Sequence, residues 1–155
     1  MKRITVILFA ITLSFNSLAQ TDDEYIDLAR EVLKTEKKEA IAEILNLSDD
    51  EAPFFWELYK EYQEKQYLIQ NKRIALITDF SDNFESLTDE KADELMKSFL
   101  SYKSEILKLN KQYYKKFKKV TSVENAVLLF QAENKIETLI DAQLALEIPM
   151  LEVAK

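Results

Sequence analysis

The side chains in this sequence that could do chemistry are carboxylates, lysines, tyrosines and hydroxyls, because the 155-residue chain contains no histidine and no cysteine. Histidine and cysteine supply the usual zinc, copper and haem ligands, and histidine is the most frequent general base. Carboxylates alone can hold calcium or magnesium, but the D-x-D-x-D-G spacing of a calcium loop is absent. No spacing brings the remaining groups together as a catalytic set. We therefore expect neither an enzyme nor a bound cofactor or metal.

The chain also contains no glycine. Phosphate-binding loops, nucleophile elbows and dinucleotide-binding turns need glycine for positive φ angles or for close approach of the backbone to a ligand. Tight β-hairpin turns need it as well. The composition therefore excludes the common nucleotide-binding and hydrolase sites and favours helices over strands.

Residues 1–19 have the pattern of a secretory signal. Lys2 and Arg3 precede an uncharged run over residues 4–15, and Ala19 ends a small-x-small site. A permanent membrane anchor is the alternative, but the run is about half the length that spans a hydrocarbon core of ~30 Å. Gln20 stands where a bacterial lipid anchor needs cysteine. We expect cleavage after Ala19 and a soluble, exported periplasmic protein with residues 20–155 as a single helical domain.

The charge balance restricts the partners. Removal of Lys2 and Arg3 leaves 19 basic residues against 28 acidic ones, which is a net charge of −9. A chain of this charge repels nucleic acid and anionic membranes. With no cysteine for disulfides, packing between helices must stabilise the fold.

Helix starts repeat a capping signature of a hydroxyl side chain followed by acidic residues, often with Glu three positions on. Acidic side chains in a first turn also interact favourably with the helix dipole, so their clustering is better explained by structure than by a binding site. The caps are Thr21, Ser48, Thr88 and Thr121, and Glu24, Glu51 and Glu124 close the capping box at three of them. Four helices are therefore predicted.

Between these starts, apolar residues recur every three or four positions, which is a helical period. One row runs from Phe55 to Phe84. Another has nearly heptad spacing and consists of Ala92, Leu95, Phe99, Tyr102, Ile106, Leu109, Tyr113 and Phe117. The last segment begins apolar on almost every side and should end before Pro149. The pattern predicts an all-α fold: an elongated bundle of about four helices with short connections and a long antiparallel central hairpin. Apolar surface that such helices leave uncovered favours a homodimer.

Two groups of side chains could bind a polypeptide. The first is the aromatic group of Phe55, Trp56, Tyr59 and Tyr62, for which packing in the core is the favoured alternative. The second is a lysine group near the end of the third helix, which could instead compensate the helix dipole. Lys108, Lys111 and Lys115 are its candidate client-binding residues, and the other members are Lys103, Lys116, Lys118 and Lys119. Gln66 and Arg73 interrupt the apolar row, and Gln131, Glu133 and Asn134 form either a network between helices or a solvated side.

Two of the helix starts are related in sequence. Leu47-Ser48-Asp49-Asp50-Glu51-Ala52 and Leu87-Thr88-Asp89-Glu90-Lys91-Ala92 both place leucine before the cap, and Val120-Thr121-Ser122-Val123-Glu124 is a weaker third copy. In this motif the chain resembles the LTxxQ-motif periplasmic proteins, the Spy/CpxP-like family, with Glu51 and Lys91 in place of the family's glutamine. The resemblance covers most of the chain after the signal.

The resemblance implies a helical periplasmic homodimer that binds unfolded envelope proteins without ATP, as a chaperone-like holdase, or that serves as an envelope-stress adaptor. The alternative is a specific regulatory partner of an envelope stress sensor or anti-sigma system. General protection of unrelated clients would distinguish a holdase, whereas a regulatory protein would show one saturable interaction.

Overall fold

Within residues 22–150, which are the residues that the computed structural model describes, the chain forms four α-helices and no strand. They are α1 (Asp22–Ile44), α2 (Ala52–Asn83), α3 (Asp89–Val120) and α4 (Val123–Glu147), and a short 3-10 helix at Phe84–Ser86 follows α2. The all-α prediction is confirmed. The predicted signal peptide and the predicted cap at Thr21 lie outside the described residues.

Hydrogen bonds between Ser48 and Glu51 stabilise the start of α2. Ser48 Oγ accepts a hydrogen bond from the Glu51 amide at 3.3 Å, and the Glu51 carboxylate accepts one from the Ser48 amide at 3.0 Å. This reciprocal pair satisfies two backbone donors that a helix start leaves unpaired. Pro53 then lies in the first turn of α2, where its missing amide hydrogen is tolerated.

The chain divides into two compact units. Among the described residues, one unit contains residues 46–131, which are α2, α3 and the beginning of α4, together with residues 148–150. Among the described residues, the other unit contains 22–45 and 132–147, which are α1 and the rest of α4.

In the unit of residues 46–131, α2 and α3 form the predicted antiparallel hairpin. Phe55 of α2 lies against Phe117 of α3, and further along α2 the Lys72 ammonium bonds to the Glu105 carboxylate. Near the turn, Asp79 pairs with Lys91. Successive residues along α2 therefore contact residues progressively nearer the start of α3, as expected for antiparallel helices.

The core of this hairpin is aromatic and lies near its open end. Tyr62 packs against Tyr113 with ring centroids 5.3 Å apart, and Phe55 packs against Phe117 at 5.2 Å. All three buried residues of α2 lie in its first eleven positions. The part of the hairpin nearer the turn has a thinner core, with Leu95 and Tyr102 as its buried residues on α3.

The beginning of α4 covers this aromatic core. Phe130 contacts Tyr62 at 5.8 Å and Phe117 at 6.1 Å between ring centroids, and Leu129 is fully buried. Burial of this segment, which is apolar on almost every side, is limited to one side of the helix, because Val123 and Val127 are exposed. At its other end, α4 stops at Glu147, two residues before Pro149, as the sequence predicts.

The aromatic packing generates a stability prediction. Replacing Phe117 by alanine should lower the free energy of unfolding by about 3–5 kcal/mol, because the ring is fully buried and its loss leaves a cavity. Urea denaturation measures the change. Phe54→Ala is the matched control, since that ring is 64% exposed and its loss should cost about 0.5 kcal/mol or less. Equal losses in the two variants would contradict the assigned core.

Candidate functional site

The aromatic group proposed to bind clients lies mostly in the core. Phe55 and Tyr62 are fully buried and Tyr59 is 1% exposed, so these three rings are not available to a polypeptide partner. The reason is their spacing, which points all three from one side of α2 towards α3. These three side chains therefore pack in the core, which was the favoured alternative to client binding. Trp56 alone in the group is half-buried, with its ring packed edge-on against Phe55 at 5.0 Å.

The polar residues that interrupt the apolar row of α2 contact this aromatic core at its edge. Tyr62 donates its hydroxyl proton to Asn110 Oδ1 at 2.9 Å and accepts a hydrogen bond from Gln66 Nε2 at 3.4 Å. Arg73 lies over the ring of Tyr102, with its guanidinium carbon 5.9 Å from the ring centroid. Gln66 and Arg73 therefore each contact an aromatic side chain of the hairpin.

Glu61 links the two helices of the hairpin on the solvent side. Its Oε1 accepts a hydrogen bond from the Tyr113 hydroxyl at 2.6 Å and another from Lys116 Nζ at 3.2 Å. The bond from Tyr113, and then that from Lys116, lowers the pKa of Glu61 below its ordinary value of 4.5. Burial and then the bond to Glu61 raise the pKa of Tyr113 well above its ordinary value of 10.0.

The predicted lysine group separates into paired and unpaired members. Lys116 bonds to Glu61, and Lys103 lies over the rings of Phe99 and Tyr102. Lys118 and Lys119 lie in the last turn of α3, where the helix dipole favours them. Dipole compensation fades within the last turn and does not account for the three exposed lysines that form no salt bridge to any of residues 22–150, which are Lys108, Lys111 and Lys115.

Exposed apolar side chains accompany these lysines. Phe54 and Leu68 of α2 are 64% and 63% exposed, and they lie on the same side of α2 as Glu61, seven residues from it in each direction. The pairs Tyr62–Asn110 and Lys72–Glu105 place Leu68 at the level of Lys108 in α3. The Phe55–Phe117 pair places Phe54 near the level of Lys115. We call these four exposed side chains, Phe54, Leu68, Lys108 and Lys115, the lysine face.

The motif residues are helix caps, and their details differ from one start to the next. Thr88 Oγ1 accepts a hydrogen bond from the Lys91 amide at 3.2 Å, so the second copy of the motif caps α3 without a closing carboxylate. Leu47 and Leu87, which precede the caps, are half-buried.

The third copy of the motif caps its helix one residue later than predicted. Ser122 Oγ, and not Thr121, accepts a hydrogen bond from the first turn of α4, namely from the Asn125 amide at 3.0 Å. Thr121 instead ends α3, because its amide donates to the Phe117 carbonyl at 2.9 Å. Glu124 is exposed in the first turn of α4. Its predicted role in a capping box with Thr121 is therefore wrong.

Thr121, in the third copy of the motif, interacts with the first copy through Glu51 and through Asn125. Its Oγ1 accepts a hydrogen bond from Asn125 Nδ2 at 3.0 Å, and its hydroxyl also contributes, after Ser48, to lowering the pKa of Glu51. Asn125 in turn bonds to both backbone groups of Asn46, through Nδ2 at 3.0 Å and Oδ1 at 3.2 Å. Sequence spacing gives no signal for this contact between residues far apart in the chain.

In the unit of residues 22–45 and 132–147, Glu133 is buried and pairs with Lys37 of α1 at 2.7 Å. Its neighbours Gln131 and Asn134 are exposed. Of the three residues proposed as a polar network, Glu133 therefore links two helices and the other two face solvent.

The described residues contain no group of three or more acidic side chains placed to hold a metal ion. Among residues 22–150, no helix has both the length and the hydropathy of a membrane span.

No protein-family model, curated protein or solved structure matches the chain. The likeness to the LTxxQ-motif family therefore depends on the motif residues alone.

The Tyr113–Glu61 hydrogen bond predicts a loss of stability at alkaline pH. Burial and then the bond to Glu61 raise the pKa of Tyr113 in the folded state, so this protonated environment stabilises the protein fully below pH 10, and the stabilisation is lost as the pH rises above that value. Between pH 10 and 11.5 the wild type should lose stability more steeply than Tyr113→Phe, by up to about 1.4 kcal/mol per pH unit.

Urea denaturation across this pH range measures the difference. Tyr114→Phe is the matched control, because its ring packs on Phe130 and its hydroxyl forms no hydrogen bond to another of residues 22–150. The titration of lysines is common to all three proteins. The same pH dependence in all three would contradict the assignment.

Proposed function

We propose that this protein is an exported, ATP-independent binding protein of the periplasm that holds non-native polypeptides. The observation that supports the proposal is the lysine face, where exposed Phe54 and Leu68 accompany exposed, unpaired Lys108 and Lys115. Apolar side chains of a client would gain by burial there, and acidic side chains would gain from the lysines. The remaining surface of a net acidic chain would repel acidic clients, so the lysine face concentrates the attraction.

The flexibility of the side chains on the lysine face also favours a binding role. Phe54 and Leu68 lie on a helix surface, and the neighbouring lysines are long and flexible, so the surface can adapt to different sequences. Such a surface suits weak contact with many unfolded segments. The likeness of the motif residues to the Spy/CpxP-like proteins points to the same class of function. Export is part of the proposal and depends on the signal pattern in residues 1–19.

The test is light scattering of two unrelated chemically unfolded clients at increasing ratios of this protein. We expect suppression of aggregation for both clients at near-equimolar ratios, and at least a twofold loss of suppression in the variant Leu68→Asn, Lys108→Glu, Lys115→Glu. The contribution of the lysines to client binding should weaken at 0.5 M salt, because at this ionic strength charges more than a few ångströms apart are largely screened from one another.

The matched control is Leu146→Asn, Lys60→Glu, Lys135→Glu, which changes the same residue types and the same net charge at exposed positions outside the lysine group. It should protect the clients as the wild type does. Absence of suppression by the wild type at tenfold excess would refute the holdase proposal and favour the specific regulatory partner. Equal activity of the two variants would refute the assignment to the lysine face.

A further inference from the structure

A stripe of lysines follows the solvent side of the second half of α3. Each member lies three or four residues from another, which places them on one side of the helix. That side faces away from the hairpin core, because the buried residues of this half are Leu109, Tyr113 and Phe117. From first to last the stripe extends over ~17 Å at 1.5 Å per residue. We call the five exposed lysines of this side the basic stripe, which consists of Lys108, Lys111, Lys115, Lys118 and Lys119.

No acidic residue interrupts the basic stripe. Glu105 and Glu124 are the nearest acidic residues before and after it in the chain, and Glu105 pairs with Lys72 of α2. Lys116 lies in the same segment but bonds to Glu61 on the side of α2, so it does not belong to the stripe. None of the five stripe lysines forms a salt bridge to any of residues 22–150. The stripe therefore presents five positive charges to solvent without a carboxylate among them.

Helix stability does not explain this arrangement. Like charges three or four residues apart destabilise a helix, and the helix dipole favours cations only in the last turn, which contains Lys118 and Lys119. Earlier in α3, by contrast, Lys97 pairs with Asp93 four residues before it. A run of like charges that opposes helix formation in the free protein is expected where an anion binds and neutralises it.

The composition of this surface indicates the kind of anion. Between residues 108 and 120 no large apolar side chain is exposed, whereas the centre of a protein–protein interface is apolar and often aromatic. Single-stranded nucleic acids stack their bases on accessible aromatic rings. Here Tyr113 and Phe117 are buried, and Tyr114 packs edge-on against Phe130. The stripe therefore suits a ligand that carries charge and needs neither apolar contact nor stacking.

The residue type of the stripe favours repeated phosphates over a single one. No arginine is present in α3, although the planar fork of arginine is the group that fits one phosphate with fixed geometry. The lysine ammonium is a point charge on a flexible stem. Five such charges along one side of a helix can follow a chain of anionic groups whose conformation varies.

The charge of the rest of the protein limits the width of the ligand. Without these five lysines the net charge of −7 becomes −12. A broad anionic object, such as a membrane surface or a nucleic-acid duplex, would also meet exposed carboxylates of the same unit, which include Glu57, Glu64 and Glu90. A chain one phosphate wide can contact the stripe and avoid them.

We propose that the basic stripe binds a free, linear polyanion of closely spaced phosphate groups, with inorganic polyphosphate as its simplest form. The ammonium groups would neutralise successive phosphates and release their counterions. This proposal goes beyond the proposed function and does not rest on it. Lys108 and Lys115 belong to both the stripe and the lysine face, so the binding test is made without a client. Either proposal can then fail while the other stands.

The test is isothermal titration calorimetry of the full protein with a linear polyphosphate long enough to span the stripe, at several salt concentrations. The logarithm of the affinity should fall with the logarithm of the salt concentration with a slope of about −3.5, because five phosphates are neutralised. In the variant Lys111→Gln, Lys115→Gln, Lys119→Gln the affinity at low salt should be about tenfold lower or less, and the slope should fall to about −1.4.

The matched control is Lys38→Gln, Lys60→Gln, Lys135→Gln, which removes the same charge at exposed positions outside the lysine group. It should bind polyphosphate within about twofold of the wild type, because its lysines do not contact the chain. Glutamine and lysine have similar helix propensities, so circular dichroism should show wild-type melting for both variants.

Absence of polyphosphate binding by the folded wild type at low salt would overturn the proposal. Equal affinities and equal salt slopes in the stripe variant and its control would overturn the assignment to the stripe. Vesicles of phosphatidylglycerol and a single-stranded oligonucleotide are titrated in parallel. Tighter binding to either of them than to polyphosphate, per phosphate group, would contradict the choice of ligand.

Discussion

The packing of aromatic rings between α2 and α3 is the interaction on which the rest of the described structure depends. Tyr62 occupies its centre, with its ring against Tyr113, Phe117 and Phe130 and its hydroxyl bonded to Asn110. A chain without cysteine cannot replace this packing with disulfides. Each ring pair contributes about 0.5–1.5 kcal/mol beyond the burial of its area, so the set fixes both the pairing and the register of the hairpin.

The aromatic core also determines where function can lie. Because the rings of Phe55, Tyr59 and Tyr62 are used for packing, the proposed binding of polypeptides would use side chains outside this core. The lysine face combines isolated apolar side chains with unpaired lysines, which would suit the varied partners of the proposed binding function.

Local signals in the sequence predict much of the fold and less of the site. Capping at Ser48 and Thr88 depends on residues three apart, and the antiparallel hairpin follows from two long rows joined by a short connection. The cap of α4 was misassigned because Thr121 and Ser122 are both hydroxyl residues, and the backbone bond of Thr121 to the end of α3 decides between them. The predicted row of α3 included Phe99, which is 41% exposed, because periodicity alone does not separate two adjacent rows on one helix. The buried pair Lys37–Glu133 depends on a contact between distant parts of the chain.

Native-state hydrogen exchange, measured amide by amide, tests most directly whether the aromatic packing holds the fold together. If it does, amides in residues 55–66 and 109–117 should exchange only through global unfolding, with an opening free energy equal to that from urea denaturation. Amides of the hairpin near its turn, in residues 70–83 and 89–98, should open at lower free energy, because fewer buried side chains hold them. Exchange from the aromatic segments that is faster than from the segments near the turn would contradict this account.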